Sequence, residues 1–499
     1  MIVQIREDVA FKPDAVSLAV AAEVKAALTW PNPAWDAAQR RGRWTGAIPE
    51  TISAWDFDRA AGLVRIPRGA LGLLRAAAAR RGVELEICDD RAEARAYLWF
   101  APGVSLRAYQ VAAVGAMVQA ETGVVCMPCG GGKTFTGLLA LARVGQRALV
   151  LVHTTDLQDQ WVGAARSVLG VEAACIGGGR PSKAAALAVA AAPIVVATVQ
   201  TLARQLESDP SATRELLAGF GAVVVDEAHH TPARTFAEVA HACPARYRWG
   251  LTATPDRDDG LTPLMLASLG PICYRIGYPD LIADGYLIAP RIERRDTAFR
   301  YEWHERDEKR RASNLRRRDW GTCAAAIAAD VERADQVMQD AEGLASAGHT
   351  VLILTGRKDH AALMAGMMYR QAEVLTSDTP KPERRRMLAD FRDGRLRILI
   401  ATQLADEGLD VPRLDRVLLA FPSRSARAAI QRLGRIMRPC PEAGKTDAVL
   451  IDYVDPGVTK TIRKKDGADR PLPLALFQYA ARRRAYRDAL RGLGVEGRR

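Results

Sequence analysis

From Gly123 onward, short runs of β-branched residues alternate with longer Ala- and Leu-rich stretches. The runs Gly123–Met127, Ala148–Val152, Ile194–Ala197, Ala222–Val225 and Trp249–Thr252 predict strands. A strand that is apolar throughout and lies between helices belongs to a parallel sheet covered on both faces. The rhythm pauses across Tyr286–Trp320, which is charged and poor in apolar periodicity. It restarts with Val351–Leu354, Glu373–Leu375, Ile398–Ala401, Val417–Ala420 and Ala448–Ile451. The pattern therefore predicts two α/β domains of similar size.

Residues 1–100 read differently. A helix is expected over Ala15–Leu28, another over Ala70–Arg81, and a strand over Val83–Cys88, with Pro31, Pro33, Pro49 and Pro67 as breaks. This predicts a small α+β domain. After Lys460 the chain is basic, with a helical stretch at Leu474–Leu490. The expected division is an N-terminal domain over 1–100, α/β domains over 101–290 and 321–460, a basic connector over 291–320 and a basic tail over 461–499.

Composition fits this picture. The 499 residues are 48% hydrophobic and 26% charged, which excludes a mostly disordered chain. At roughly 100–200 residues per domain, about three domains are expected. Met1–Asp8 lacks the apolar core of a secretory signal. The uncharged run Ala184–Ala203 contains Pro193 and reads as a helix end, a strand and a new helix rather than a membrane span. Cys126 and Cys129 are the one close cysteine pair, and no second pair stands at zinc-ligand spacing, so a reducing cytoplasm is expected. The net charge of +12 is uneven. Lys460–Arg499 holds 12 basic and 4 acidic residues, and Arg291–Arg318 holds 11 and 6. Two basic clusters suit a polyanion such as nucleic acid, or else solvated helix faces.

Candidate chemistry begins at Pro128-Cys-Gly130-Gly131-Gly132-Lys133-Thr134, placed after a strand and before a helix. Three glycines let backbone N–H groups curl around phosphate oxygens without side-chain clash. Lys133 can reach the β- and γ-phosphates, the Thr134 hydroxyl can ligate Mg²⁺, and the helix N-terminus adds its dipole. The strict phosphate-loop pattern wants Gly where this chain has Met127. About 90 residues later, Val223–Val225 delivers Asp226-Glu227-Ala-His229 at a strand end, where open α/β sheets bind ligands. Asp226 would hold Mg²⁺ through water, and Glu227 would orient and deprotonate the attacking water.

With these residues in place, the chain resembles the superfamily 2 DEAD/DEAH-box helicases and translocases over about Leu106–Asp452. Leu106-Arg107-Ala-Tyr-Gln110 is similar to the adenine-reading element, with Gln110 on the base. His153-Thr-Thr155 with Gln160-Trp161 resembles motif Ia, and Ala197-Thr198-Val-Gln200-Thr201 resembles motif Ib. Leu251-Thr252-Ala-Thr254-Pro255 resembles motif III, and Val351–Thr355 motif IV. Thr402 through Glu407-Gly408-Leu-Asp410 resembles motif V, and Gln431-Arg-Leu-Gly-Arg435-Ile-Met-Arg438 motif VI. The resemblance implies two tandem RecA-like domains, ATP and Mg²⁺ as cofactors, and hydrolysis that needs both domains. It implies γ-phosphate contact by Gln431, Arg435 and Arg438, and ribose contact by Asp410 beside Gly408. It also implies coupling through His229, Thr252 and Thr254, and strand contact through Thr198, Gln200 and Thr402. Leu-Arg-x-Tyr-Gln, Gln-Trp and Thr-Pro-Asp-Arg257-Asp-Asp-Gly260 resemble the DNA-repair branch, the xeroderma pigmentosum group B-like and phage UvsW-type helicases. His153 stands where that branch usually has Pro, and Asp258 where it often has Glu.

The expected function is an ATP-dependent DNA helicase or translocase acting on single-stranded, forked or branched DNA in repair, recombination or replication. An RNA helicase and a duplex-translocating motor subunit of a restriction or defence complex are the alternatives. Weaker signals remain. Pro13-Asp14 with Glu23-Val-Lys25 matches a loose nuclease pattern, but a helix there would hold the carboxylates apart. Cys126 and Cys129 could oxidise together, or Cys126 could be a small hydrophobe. Trp30, Trp35, Trp44, Trp55 and Trp99 could stack on bases or fill a core.

Overall fold

The computed structural model describes the chain apart from residues 15–16, 41, 43, 99–100, 102, 179–182, 230–232, 255–259, 304–314, 368–371, 403–410, 423–429, 431–432, 464–468 and 492–499. It forms two compact units. One comprises Met1–Met127 with Gly132–Ile276, the other Pro128–Gly131 with Gly277–Arg499.

The first unit opens with a five-stranded sheet in the order Asp56–Asp58, Leu63–Ile66, Val9–Phe11, Ile2–Ile5, Glu86–Asp89. All pairs are antiparallel except the last. Ile2–Ile5 and Leu63–Ile66 alternate between buried and more exposed positions, as a sheet covered on one face requires. Helices Leu18–Ala27 and Leu71–Arg80 contribute Val20, Val24, Leu74 and Ala77 to the core with Val3, Ile5 and Phe11. Trp30 and Trp55 pack against this core. Trp44 is 81% exposed.

The same unit continues into a seven-stranded sheet, parallel throughout. Its order is Ala174–Ile176, Ile194–Thr198, Ala148–Val152, Ala222–Val225, Tyr247–Thr252, Thr122–Cys126, Ile272–Arg275. The five strands expected from the apolar runs are its interior. The two unforeseen strands are its edges, short and partly exposed, so they carry no long buried run. The run Ala184–Ala203 resolves into helix, strand and helix. No described helix is long and apolar enough to cross a membrane.

Two buried arginines fasten the small domain where the parallel strands begin. Arg68 donates to the carbonyls of Ala245 at 2.5 Å and Arg246 at 2.8 Å. Arg248 donates to those of Cys243 at 2.7 Å, Glu7 at 3.2 Å and Ser268 at 3.3 Å. Burial, and then the neighbouring Arg248 charge, push the Arg68 guanidinium well down; burial brings Arg248 to about 10. The phosphate loop follows the opposite, C-terminal ends of the strands.

The second unit holds a six-stranded parallel sheet. Its order is Pro290–Asp296, Ala448–Val454, Arg416–Leu419, Val351–Thr355, Ile398–Thr402, Ala372–Leu375. The expected connector contributes its edge: Pro290–Asp296 pairs with Ala448–Val454 over seven positions. An edge strand tolerates charge, which is why its arginines masked it in the sequence. Arg300–Trp303 and the expected tail form a further sheet, Arg300–Trp303 beside Gly457–Arg463 beside Asp469–Pro473. Helix Leu474–Ala489 follows. What charge counting read as connector and tail is thus in large part folded structure.

Arg482 shows why. It is 2% exposed and grips Asp452, 1% exposed, with Nε and Nη2 at 2.8 and 2.7 Å from the two carboxylate oxygens. Removing one partner of a buried pair costs about 3–5 kcal/mol. Arg482→Ala is expected to lose stability on that scale in urea unfolding. A loss near zero would mean that the helix is not docked.

Candidate functional site

Strand Thr122–Cys126 is buried along its last four residues, and helix Lys133–Val144 starts from Gly132. Between them the backbone turns left-handed at Gly130 (φ +85°) and Gly132 (φ +80°), conformations that glycine adopts without strain. A Cβ at Gly132 would stand 2.9 Å from the Gln110 Nε2. Gln110 is buried, and its Oε1 accepts from the Arg107 backbone N–H at 3.0 Å. Arg107 Nη1 lies 3.2 Å from the Tyr109 hydroxyl. The Arg107–Gln110 segment, the expected adenine-reading element, therefore abuts the end of the glycine loop. The Thr136 hydroxyl donates to the Gly132 carbonyl at 3.1 Å and steadies the first helical turn, which carries Lys133 and Thr134.

Strand Ala222–Val225, wholly buried, delivers Asp226 and Glu227 beside that turn. The Asp226 carboxylate is held at both oxygens. Oδ2 accepts from the Trp161 indole N–H at 2.7 Å, and Oδ1 from the Glu227 backbone N–H at 2.9 Å. Burial, and then the Glu227 charge, raise Asp226 to about 6, against the pull of Trp161 and Lys133. Lys133 Nζ is 3.3 Å from Glu227 Oε1. Glu227 has φ +44°, a left-handed backbone that costs a side-chain-bearing residue roughly 1–2 kcal/mol. Such outliers gather at functional sites.

His229 and Thr252 lie beside Glu227. His229 Nδ1 lies 3.5 Å from Glu227 Oε2 and 2.6 Å from the Thr252 hydroxyl. That hydroxyl donates to the Thr254 carbonyl at 2.6 Å, so toward His229 its oxygen accepts and Nδ1 carries the proton. His229 and Thr252 are buried.

The remaining candidates belong to other elements. Thr198 ends strand Ile194–Thr198, its hydroxyl 2.7 Å from that of Thr201; Gln200 is exposed on the following helix. In the second unit, Thr402 ends strand Ile398–Thr402, with a buried hydroxyl that has no hydrogen-bond partner among the described residues. Arg435 and Arg438 are half-buried. Gly408, Asp410 and Gln431 lie outside the described residues, as does Trp99. Asp14 accepts from the Ser17 N–H and hydroxyl, each at 2.7 Å, and Glu23 pairs with Arg80 and Arg81. The two carboxylates of the loose nuclease pattern are thus engaged separately.

The donor set fits a triphosphate with a divalent cation: left-handed glycines, a lysine and a hydroxyl at a helix N-terminus, and a buried carboxylate opposite. A second cluster, His349, Asp415 and Asp447, has its ligand atoms mutually within 4.8 Å. It is an ion-pair network instead. Arg416 donates to His349 Nε2 at 2.9 Å and to Asp447 at 2.8 Å, and His349 Nδ1 then faces Asp415 at 2.7 Å. Sequence reasoning noted Trp161 as part of motif Ia but gave it no task. Asp226 lies 65 positions further along the chain, and no local signal links the two.

Residues 103–257 match the family model of the type III restriction enzyme res subunit, and residues 332–440 match the helicase conserved C-terminal domain. The DNA 3'-5' translocase XPB2 of Sulfurisphaera tokodaii is 28% identical over 406 residues, covering 75% of this chain and 87% of that protein. The DNA 3'-5' helicase XPB of Kineococcus radiotolerans is 30% identical over 356 residues, covering 68% of this chain and 58% of that protein. Among solved structures, the ATP-dependent Type ISP restriction-modification enzyme LlaBIII bound to DNA aligns with TM-score 0.53 at 16% identity. The alignment covers 78% of this chain and 30% of that one. The last likeness concerns fold alone.

Proposed function

From the premise that this chain has the two-domain make-up of the superfamily 2 helicases and resembles their XPB-like members, we propose that it is an ATP-dependent DNA helicase or translocase. Its substrate is single-stranded, forked or branched DNA in repair, recombination or replication. The observation that carries the reading is the cluster Lys133, Asp226, Glu227, His229 and Thr252, assembled from two strand ends and a helix start within one unit.

The residues divide the work. Gly130, Gly131, Gly132 and Lys133 bind the phosphates, and Gln110, set by Arg107, reads the base. Mg²⁺, held by Thr134 and, through water, by Asp226, would neutralise charge on the β- and γ-phosphates. Glu227 orients the attacking water and takes its proton. Arg435 and Arg438 supply further positive charge at the γ-phosphate, with Gln431 and Asp410 beside them, Asp410 on the ribose. His229, Thr252 and Thr254 report occupancy to the strand-binding residues Thr198, Gln200 and Thr402. Contacts of that kind go to phosphates and carry no sequence information.

A duplex-translocating motor of a restriction or defence complex is the second reading. The res-subunit match favours it.

One assay separates them: steady-state ATPase with no nucleic acid, single-stranded DNA, plain duplex, forked DNA and single-stranded RNA, with Lys133→Ala as the blank. The proposal expects stimulation by single-stranded or forked DNA. Stimulation by plain duplex alone would move the chain to the second reading. Stimulation by RNA alone would defeat both.

A further inference from the structure

We infer that Trp161 is a positioning residue of the nucleotide site: its indole N–H fixes the carboxylate of Asp226 in the orientation that receives the hydrated metal ion. The inference rests on the nucleotide-binding reading above and adds a residue to it.

The geometry is specific. Trp161 is fully buried on helix Thr155–Leu169, yet its one polar atom is spent on Asp226 at 2.7 Å. Indole nitrogen is a donor only, so the accepting carboxylate must be ionised or must turn its carbonyl oxygen toward it. With Oδ1 held by the Glu227 backbone N–H, rotation about the carboxylate's own axis would break two hydrogen bonds. Each oxygen accepts once from the protein and keeps its other lone pair for metal-bound water. The ring itself is seated by an absence. A Cβ at Gly137, on the helix that leaves the phosphate loop, would come within 2.8 Å of the indole Cη2 and 3.0 Å of Leu251 Cδ1. One side chain thereby keys three elements together: the motif Ia helix, the strand end of the acidic pair and the phosphate-loop helix. Among the described residues, Gln158 one turn earlier is also buried, but it donates to the carbonyls of Ile176 and Val196 and braces the sheet. Trp161 is the member of that helix face directed at the chemistry.

The test uses Trp161→Phe, which keeps an aromatic ring and removes the donor, and Gly137→Ala, whose new Cβ must displace the ring. Full-length wild type and both variants are loaded with N-methylanthraniloyl-ADP, and Mg²⁺ is titrated while the fluorescence of the bound nucleotide is followed. Hydrogen bonds to charged groups are the strong class. Both variants are therefore expected to bind the metal-free nucleotide within about twofold of wild type and to need about tenfold more Mg²⁺ for half-saturation. A merely structural role would weaken both affinities together. Circular dichroism checks folding, and if Trp161→Phe fails that check, Gly137→Ala alone decides. Wild-type Mg²⁺ half-saturation in a folded variant would overturn the inference and leave the nucleotide reading standing. Wild-type protein that shows no Mg²⁺-dependent nucleotide binding would overturn both.

Discussion

Glu227→Gln is expected to bind ATP as tightly as wild type and to hydrolyse it about 10²–10⁴ times more slowly, the range that a positioned general base contributes. The substitution preserves shape and hydrogen-bonding size and removes only the basic oxygen. Three features single out this carboxylate. Its backbone is held at φ +44°, so the side chain leaves the strand end in a direction that ordinary backbone would not give. Its Oε1 faces Lys133 at 3.3 Å. Its Oε2 stands 3.5 Å from His229. Asp226 is less free to take the proton: it is buried, and its two oxygens already accept from the Trp161 indole and the Glu227 backbone. Rapid-quench measurement of a single turnover, beside equilibrium binding of a fluorescent ATP analogue, separates the two effects. Turnover within threefold of wild type would remove Glu227 from the role of base.

The part of this molecule written most plainly in its sequence is what water must not touch. The five interior strands of the first parallel sheet and five of the second were visible because most positions in them are apolar. The phosphate loop and the acidic pair were visible because their chemistry admits few residue types. What was hidden is instructive. Pro290–Asp296 is a strand whose charged side chains suit a sheet edge, so no hydrophobic period marks it. Arg482 counted as one more surface charge, although it is buried against Asp452, because only the fold brings position 452 to position 482. Arg68 and Arg248 escaped notice for the same reason. Their partners are backbone carbonyls, which every residue owns. Trp161 lay in plain view within Gln160-Trp161, but the meaning of its indole depends on a carboxylate 65 residues away. Sequence patterns disclose burial and local chemistry; pairings across long separations await the topology.

Arg435→Ala carries the other large expected effect: a fall in turnover of about 10³–10⁵, the worth of an arginine supplied to a transferring phosphoryl group. ATP binding should change by no more than a few fold, because the phosphate loop and Gln110 remain. The local structure supports a functional reading over a structural one. Leu433, Ile436 and Met437 are fully buried and anchor the segment, whereas Arg435 and Arg438 are its half-buried polar positions, three residues apart. Arg435 sits on the helical turn of residues 433–436, and Arg438 in the bend just past it. Removing Arg435 therefore leaves the anchor in place, and the thermal midpoint should stay near that of wild type. Arg435→Lys refines the test. It keeps the charge but loses the planar fork that meets phosphate oxygens in pairs, so it should recover only part of the lost rate. If neutralisation alone were needed, lysine would restore turnover fully. Full activity of Arg435→Ala would end the proposal that the second unit takes part in hydrolysis, since a site complete within Lys133, Thr134, Asp226 and Glu227 would need no such residue.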